Sequence, residues 1–379
     1  MRQQIAKRWI TAGIASAIVF GAVPPGVGYN EVHAEAEVAA ETASVSSLKE
    51  IQSILTEQMR DRHTTITFKY QGPTQNLKDV LKDAVSGALD SDPYTKYVVD
   101  RYTYNWKGTT GSAKITFQIY YRETADQSSF VDERVKEILK EIMKAGMNDH
   151  QKVKAIHDYV VLNLKYDEDL QKYTAYEGLK TGEAVCQGYT LLTYKLLQQA
   201  GINNHIIEGS AGGQLHAWNL VHLNGQWYHL DTTWDDPAPD TPGVVKYTYY
   251  MRTDEQMRKT HHWTNAYPAA KQAYRYTLRS LITDGGKDSA SLKDLEKQLE
   301  YTLYSPESVT RNAQGIQGQA KQAIKDNKLT ITIRYSGSER QLIDHLGSLY
   351  ELNIKNVSYL AEPLEGTDDL RVEIHWENK

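Results

Sequence analysis

The sequence predicts an α+β protein in which a central domain lies between two small β-α-β-β modules. The segments TITFKY at 65–70 and TITIRY at 330–335 are nearly identical. Each alternates between polar and apolar residues, as a half-buried strand does, and a helical pattern follows it. Between the two copies, helical periodicity gives way to alternating segments on both sides of Asn224-Gly225, a dipeptide typical of two-residue β-hairpin turns.

The two modules repeat one order of predicted elements. The first contains strands at 65–70, 97–106 and 114–121 and a helix at 77–89. The second contains strands at 330–335, 357–360 and 370–376 and a helix at 341–352. Chance similarity between amphipathic segments is the alternative explanation. Two copies of one module favour a binding or spacing role over catalysis.

The central domain combines helices with a small sheet. Amphipathic helices are predicted at 129–145 and 149–164, and a third helix follows Cys186 and ends at Gly201, a residue type common at helix C-termini. Strands are predicted at 205–208, 216–223 and 226–232. The expected divisions of the chain are a signal peptide at 1–34, a linker and helix at 35–62, the N-terminal module at 63–125, the central domain at 126–275, linking helices at 276–328 and the C-terminal module at 329–379.

The N-terminus is typical of a secretory signal peptide. Basic residues precede an apolar stretch at 9–23, which is shorter than the roughly 20 residues that a membrane-spanning helix needs. Small residues predict cleavage after Ala34, and an uncleaved anchor is the alternative. We therefore expect a secreted, extracellular protein with no membrane span after cleavage, and association with the cell wall is a hypothesis from that location.

Composition and net charge limit the classes of partner that the protein can bind. The formal net charge is −5, and no cluster of basic residues interrupts the sequence, which argues against nucleic acid as a partner. We expect protein or peptide substrates, with cell-wall peptides or surface proteins as candidates, and no cofactor.

Cys186 is the single cysteine of the 379 residues. It cannot form an internal disulfide, so it is either an inert buried residue or a nucleophile. Its expected place at the first turn of a helix would expose it to unpaired backbone N–H groups and the positive end of the helix dipole. Both favour a thiolate over a thiol, which is the form that acts as a nucleophile.

The Asn224-Gly225 turn predicts a register for the hairpin. If Leu223 pairs with Gln226, Leu220 lies opposite His229 and Trp218 opposite Asp231. His216 then projects from the same side as Asp231, and the two are diagonal neighbours roughly 7–8 Å apart at the backbone. The register thus predicts a His–Asp pair on one face, which a slip of one residue would destroy.

Residues from about 151 to 269 also resemble the transglutaminase-like superfamily, specifically the secreted type of Gram-positive bacteria. The matching segments are IHDYV at 156–160, KYD at 165–167, AVCQGY at 184–189, GI at 201–202, HAWN at 216–219, WYHLDTTWDDP at 227–237, HHW at 261–263 and YP at 267–268. The resemblance implies a papain-like core with a catalytic triad of Cys186, His216 and Asp231, the cysteine at a helix N-terminus and the other two on antiparallel strands. Thr190 stands where such proteins usually have alanine, and the flanking modules lie outside the match.

The sequence gives weaker indications of function for other residues near these motifs. Gln187, Trp218 and Tyr166 are candidates for lining the cleft. His157-Asp158 is better explained by structural capping or packing, because consecutive helix residues do not share one face. His261-His262 lacks further ligands at suitable spacing, so we expect no metal site.

The sequence therefore predicts cysteine-dependent acyl transfer at amide bonds. An amine acceptor would make the protein a transglutaminase, and water would make it a peptidase or deamidase. The choice depends on cleft shape and water exclusion, and the sequence leaves it open. A non-catalytic surface-binding protein, in which the two modules bind the partner, is the competing class.

Overall fold

The computed structural model of the protein describes residues 43–237 and 243–378. The predicted signal peptide and the first residues of the segment at 35–62 lie outside this range. The described chain forms two compact units: an N-terminal unit of residues 43–135 and 167–192, and a C-terminal unit of residues 136–166 and 193–378. The domain boundaries expected from the sequence stay predictions.

Helices and strands are mixed along the described chain. Residues up to 142 form β1 (Ser44–Val45), α1 (Leu48–Arg60), β2 (Thr65–Gln71), α2 (Leu77–Ser91), α3 (Pro93–Val98), β3 (Val99–Thr109), β4 (Ser112–Tyr121) and α4 (Ala125–Ile142). Residues 149–262 form α5 (Asp149–Asn163), β5 (Lys165–Tyr166), α6 (Ala175–Thr181), β6 (Glu183–Ala184), α7 (Cys186–Gln199), β7 (Asn204–Ala211), β8 (Gln214–Leu223), β9 (Gln226–Leu230), α8 (Thr232–Asp235), α9 (Asp254–Met257) and β10 (His261–His262). The remainder forms α10 (Tyr274–Thr283), α11 (Ser289–Gln298), β11 (Val309–Thr310), α12 (Ala313–Lys325), β12 (Thr330–Tyr335), α13 (Glu339–Leu346), β13 (Ile354–Pro363) and β14 (Leu370–Asn378), with 3-10 helices at Tyr301–Tyr304, Pro306–Ser308 and Gly347–Leu352.

The sheet of the N-terminal unit has the strand order β1-β2-β4-β3. Strand β1 is parallel to β2, and the other pairs are antiparallel. Ile66, Phe68 and Tyr70 alternate along β2 and are buried in one core with α1 and α2. The residues between them, beginning with Thr65, project to the opposite face, because successive side chains of a strand alternate.

The C-terminal part repeats this arrangement. Its strands have the order β11-β12-β14-β13, and the short strand β11 is again parallel to its neighbour. In both sheets a short strand and a helix precede the TITFKY or TITIRY strand. The sequence predicts the helices, as parts of the linking segments, but not the two short strands. Strands β12 and β14 bury Ile333, Val372 and Ile374 against the helices that cover them.

The central sheet, in the C-terminal unit, has the order β10-β7-β8-β9. Its β8–β9 hairpin has the predicted register: Leu223 pairs with Gln226 and Leu220 with His229. Asn224 and Gly225 both have positive φ, at 48° and 75°, as the predicted tight turn requires. The hairpin prediction is thus confirmed as far as the pair of Asn219 with Leu230, and the α+β class with it, whereas the predicted pair of Trp218 with Asp231 does not form.

One detail of the predicted fold class is wrong. Strand β9 ends at Leu230, one residue before Asp231, so Asp231 does not lie on an antiparallel strand. Its side chain instead accepts hydrogen bonds from the backbone N–H groups of Thr233 and Trp234 and caps the short helix α8. Aspartate is among the preferred N-cap residues because its carboxylate satisfies the orphan N–H groups of the first turn.

Among residues 43–237 and 243–378, no helix combines the length and the apolar character that crossing a bilayer requires.

Replacing Gly225 with Ala tests the hairpin turn. Gly225 has φ of +75°, where an L side chain is strained, so we expect the free energy of unfolding to fall by about 1–2 kcal/mol. Gly286→Ala is the matched control, because Gly286 has open space around its Cα and no positive φ. Urea unfolding of both variants measures the difference; equal stabilities would contradict the turn geometry.

Candidate active site

The carboxylate of Asp231 is the centre of the candidate site. It is 1% exposed and accepts four hydrogen bonds. Its Oδ2 lies 2.6 Å from Nε2 of His216 and 3.0 Å from Nε2 of His261. Its Oδ1 accepts from the backbone N–H groups of Thr233, at 3.0 Å, and Trp234, at 3.2 Å. All the acceptor positions of this buried carboxylate are therefore used.

These contacts determine the charge of Asp231. Burial on its own raises the pKa of the carboxyl, but the charges and hydrogen bonds of His216 and His261 outweigh it. The pKa of Asp231 is consequently held well below its usual value, and the carboxylate is ionised across the physiological range.

The ring of His216 is held in one orientation. Strand β8 carries it, and its ring stacks on that of Trp218, with centroids 5.7 Å apart and an interplanar angle of 19°. Because the carboxylate of Asp231 can only accept, Nε2 of His216 carries a hydrogen. In the neutral ring Nδ1 then has the lone pair, which is the arrangement a general base requires.

Trp218 is in turn fixed by a second histidine. Its indole Nε1 donates to Nδ1 of His229 at 2.9 Å, and Nε2 of His229 lies 2.9 Å from Oδ1 of Asp254. Since an indole N–H can only donate, His229 accepts at Nδ1 and donates at Nε2. Burial lowers the pKa of His229, which is consistent with a neutral ring.

The far end of α8 is held by a third histidine. Asp235 ends the helix and is fully buried; its Oδ2 lies 3.1 Å from Nε2 of His157, and its Oδ1 accepts from the N–H of Tyr249. The other ring nitrogen of His157 lies 3.1 Å from Oδ1 of Asp158. Burial lowers the pKa of His157, but its hydrogen bonds to Asp158 and Asp235 outweigh burial and raise the pKa above the ordinary value. His157 thus bridges Asp158 and Asp235 and anchors the turn that Asp231 begins, although burial also raises the pKa of Asp235.

Cys186 lies at the first residue of α7, in the N-terminal unit, and is partly exposed. The loop before it is held by backbone hydrogen bonds from Val185 to Lys172 and from Asp167 to Ala184. Two residues later, Gly188 approaches this loop closely: a Cβ there would lie 2.6 Å from Cβ of Ala184. A larger residue would therefore clash at this position, which explains the glycine of the AVCQGY motif by packing.

The predicted site residues fall in different parts of the protein. His216 and Asp231 are hydrogen-bonded in the C-terminal unit, whereas Cys186 belongs to the N-terminal unit, so the triad as a whole stays a prediction. Gln187 donates to the carbonyl of Tyr97 at 3.2 Å. Tyr166 is exposed, and Trp218 is buried beneath His216. No cleft-lining role is tested for these three.

His216, Asp231 and His261 also have the residue types of a metal site, and their ligand atoms lie within 4.8 Å of one another. Two ligands of a tetrahedral zinc, each about 2.1 Å from it, lie roughly 3.4 Å apart. The N···O distances of 2.6 and 3.0 Å are shorter and typical of hydrogen bonds. A metal ion would require these side chains to separate.

Two partners of this site are not predicted as such by the sequence. His261 and His157 lie in segments that resemble the superfamily, but the sequence assigns neither of them an aspartate partner, and both bind aspartates at the ends of α8. Their partners are 30 and 78 positions away, and periodicity carries no information over that separation. A local signal for α8 was present in the sequence, because aspartate is a preferred N-cap residue and Asp231 directly precedes the helix.

Comparison with known families adds to this geometry. Residues 136–232 match the family model described as the transglutaminase-like superfamily. The match is confined to this segment, which is about a quarter of the chain. It includes Cys186, His216 and Asp231, and it covers the predicted AVCQGY and HAWN motifs.

Two curated proteins are similar to part of the chain. Kyphoscoliosis peptidase of Mus musculus is 25% identical over 170 residues, which are 40% of this chain and 26% of that protein. The Homo sapiens protein of the same name is 26% identical over 166 residues, 38% of this chain and 24% of that protein. The match therefore spans about a quarter of the length of these relatives.

One solved structure, described as that of a TGase, is similar at 14% sequence identity. The superposition has a TM-score of 0.28 and covers 48% of this chain and 55% of the other.

The anchoring of α8 by His157 predicts a pH-dependent stability. A histidine whose folded pKa is raised stabilises the protein fully below its unfolded pKa, near 6.5, and loses that contribution as pH rises through the folded pKa. His157→Gln should therefore lower the free energy of unfolding by about 3 kcal/mol at pH 6 and by less at pH 9. Urea titrations at both pH values measure this difference.

His205→Gln provides the matched control of opposite sign. Burial lowers the pKa of His205, so its protonation destabilises the folded protein as pH falls. The effect of this substitution should become more favourable, not less, at pH 6. A His157→Gln effect that is equal at both pH values would contradict a charged His157.

Proposed function

We propose that the protein is a cysteine-dependent acyltransferase that acts on amide bonds of peptides or proteins. Cys186 is the nucleophile, His216 the general base and acid, and Asp231 the group that orients the imidazole. The observation that supports this most directly is the buried 2.6 Å hydrogen bond between His216 and Asp231. The superfamily match and the position of Cys186 at the start of α7 support the choice of nucleophile.

The proposed reaction has two steps. The Cys186 proton passes to Nδ1 of His216, and the thiolate attacks the carbonyl carbon of the amide. The C–N bond breaks, the amine or ammonia leaves with the proton from His216, and a thioester remains. A second nucleophile then gives its proton to His216 and attacks the thioester, which releases the acylated product and restores the thiol.

Asp231 stabilises the positive charge that His216 acquires in both steps. It is ionised because its four hydrogen-bond donors favour the carboxylate. Its hydrogen bond also selects the tautomer with a lone pair at Nδ1. Without that selection the proton could not move between sulfur and nitrogen.

The second nucleophile distinguishes two versions of this function. An amine acceptor gives a transglutaminase, which is the function we propose first. Water gives a peptidase or deamidase, and the partial similarity to proteins named kyphoscoliosis peptidase favours this second candidate. Both versions use the same three residues.

We further propose that the protein acts outside the cell and is of the secreted Gram-positive type. The apolar stretch at 9–23, with its preceding basic residues, supports secretion. Cell-wall peptides and surface proteins are then the accessible substrates.

The function is tested by following incorporation of a dansyl-amine into a glutamine-bearing protein, together with release of ammonia and peptides. Cys186→Ala should abolish all three signals, and Asp231→Asn should lower the rate by about 10²–10⁴-fold, because an amide no longer selects the His216 tautomer with a lone pair at Nδ1. His262→Gln is the matched control, because His262 is an exposed neighbour of the site on β10 and should retain the wild-type rate.

Each outcome has a defined meaning. Incorporation that depends on Cys186 supports the transglutaminase, whereas Cys186-dependent release of peptide or ammonia alone supports the hydrolytic version. Equal signals from the wild type and Cys186→Ala, zero included, would contradict the enzyme and favour the non-catalytic binding protein.

His261 should affect the rate through Asp231. His261→Phe keeps the packing of the ring beside Trp218 and Trp234 but removes the donor to Asp231. We expect kcat/KM to fall about three- to tenfold, the value of one hydrogen bond. His261→Gln, which retains a donor, should recover most of the rate. Equal losses in both variants would argue against the hydrogen bond as the cause.

A further inference from the structure

The outer face of the N-terminal sheet carries a row of lysines. Lys69 on β2 pairs directly with Lys114 on β4, and Lys114 pairs with Lys107 on β3. Directly paired residues of neighbouring strands project to the same face about 5 Å apart, so the three ammonium groups span about 10 Å across the sheet. All three lysines are exposed.

This charge is not neutralised by the protein itself. Within the described residues, no ion pair involves Lys69, Lys107 or Lys114. Asp100, at the bulge that begins β3, is already paired with Arg101 and Arg122. Like charges directly opposite one another destabilise a sheet. A row of three in a protein of net charge −5 therefore suggests a ligand that compensates it.

The rest of the face is polar and lacks carboxylates. The residues that β2, β4 and β3 place beside the lysines are Thr65, Thr67, Gln71, Ser112, Thr116, Gln118, Thr103, Asn105 and Thr109. Hydroxyl and amide groups can donate hydrogen bonds to an anion that the lysines attract. A surface depression beside the row is lined by Lys69, Lys107, Thr109, Ser112 and Lys114.

The C-terminal sheet provides an internal comparison. Arg334 occupies the position in TITIRY that Lys69 occupies in TITFKY, and it pairs with Arg371, which pairs with Glu362. There the charges are compensated: Arg334 binds Asp369, and Arg371 binds Glu300, Glu362 and Glu373. The two sheets share one topology, but the cations of the C-terminal sheet are paired with carboxylates, whereas the lysines of the N-terminal sheet are not.

We propose that this face of the N-terminal sheet, the lysine row with its flanking threonines, binds a phosphodiester polymer whose repeating units carry hydroxyl groups. The row extends over about 10 Å at the backbone, so a chain that carries several phosphates can contact all three lysines at once. The flanking hydroxyl and amide groups match the hydroxyl-bearing units between the phosphates.

The side chains favour phosphate over carboxylate. Arginine binds planar carboxylates through paired N–H groups, as Arg371 binds Glu300 in the other sheet. Lysine acts as a point charge, which suits the tetrahedral phosphate, and the row contains lysines alone.

The face fits neither a membrane nor single-stranded nucleic acid. Insertion into a bilayer surface requires exposed apolar side chains, and nucleic-acid bases require free aromatic rings for stacking. The exposed ring on this face, Tyr120, is covered by the guanidinium of Arg101 at 4.2 Å from its centroid.

Binding of the full-length protein to immobilised poly(glycerol phosphate) tests the surface. The variant Lys69→Gln/Lys107→Gln/Lys114→Gln should lose at least tenfold in affinity, and the dependence of its affinity on salt concentration should become weaker. The matched control is Lys49→Gln/Lys78→Gln/Lys82→Gln, which removes the same charge from exposed positions on α1 and α2 of the same unit. Its affinity should stay within twofold of the wild type.

Thermal unfolding checks that the row variant is folded. Its midpoint should be equal to or above that of the wild type, because the substitutions remove repulsion between exposed groups. Equal losses of affinity in the two triple variants would show an effect of net charge alone and overturn the surface. Absence of wild-type binding would overturn it as well.

Three further probes test the ligand class. Polygalacturonate carries carboxylates, oligothymidylate carries bases, and phosphatidylglycerol vesicles present phosphate on a membrane. Tighter binding to any of them than to poly(glycerol phosphate) would overturn the assignment to a polyol phosphate polymer. All these readouts are independent of Cys186, so they separate this proposal from the proposed acyl transfer.

Discussion

The buried carboxylate of Asp231 is the constraint on which the central sheet depends. An unpaired carboxylate at this depth would cost several kcal/mol, so it can be ionised there only with donors in place. Those donors come from β8, β10 and the first turn of α8. The carboxylate thus connects the hairpin, the edge strand and the helical turn. It also explains why the site is rigid: any change in register at β8 would leave the charge without its strongest partner.

Histidines hold both ends of α8, with opposite consequences for charge. At the N-terminal end the imidazoles stabilise a carboxylate that is already favoured by the backbone N–H groups of the first turn. At the C-terminal end His157 lies between Asp158 and Asp235 and is itself favoured in the charged form. A helix of four residues has little stability of its own, so these tertiary contacts determine its position. The position of Asp231 therefore depends on a histidine that does not touch it.

The parts of this site that the sequence predicted are those governed by local rules. The turn at Asn224-Gly225 and the two-residue period of strands were sufficient to predict the pairing of Leu220 with His229 and the same-face placement of His216. The prediction extended β9 too far, because capping of α8 by Asp231 competed with strand pairing and prevailed. Contacts from His261 and His157 depend on how distant segments pack, which one sequence does not specify. The lysine row is predictable only in part. The sequence shows that Lys69 lies on a strand, but its alignment with Lys114 and Lys107 follows only from the registers of three strands.

Charge counting within the site distinguishes the roles of the two imidazoles on Asp231. The single negative charge of Asp231 can balance one imidazolium. If both imidazoles were protonated, the second positive charge would be buried without a counter-charge, since the groups that contact Asp231 are all donors. His261 is fully buried, and its Nδ1 lies 2.8 Å from the hydroxyl of Thr260, which can donate to a neutral ring. In the neutral form both nitrogens of His261 are thus satisfied by hydrogen bonds. In the reaction we propose, His216 is the imidazole that takes up a proton, at Nδ1. Under the proposed mechanism, Asp231 balances the positive charge on His216, and the hydrogen bond from His261 keeps the carboxylate in place.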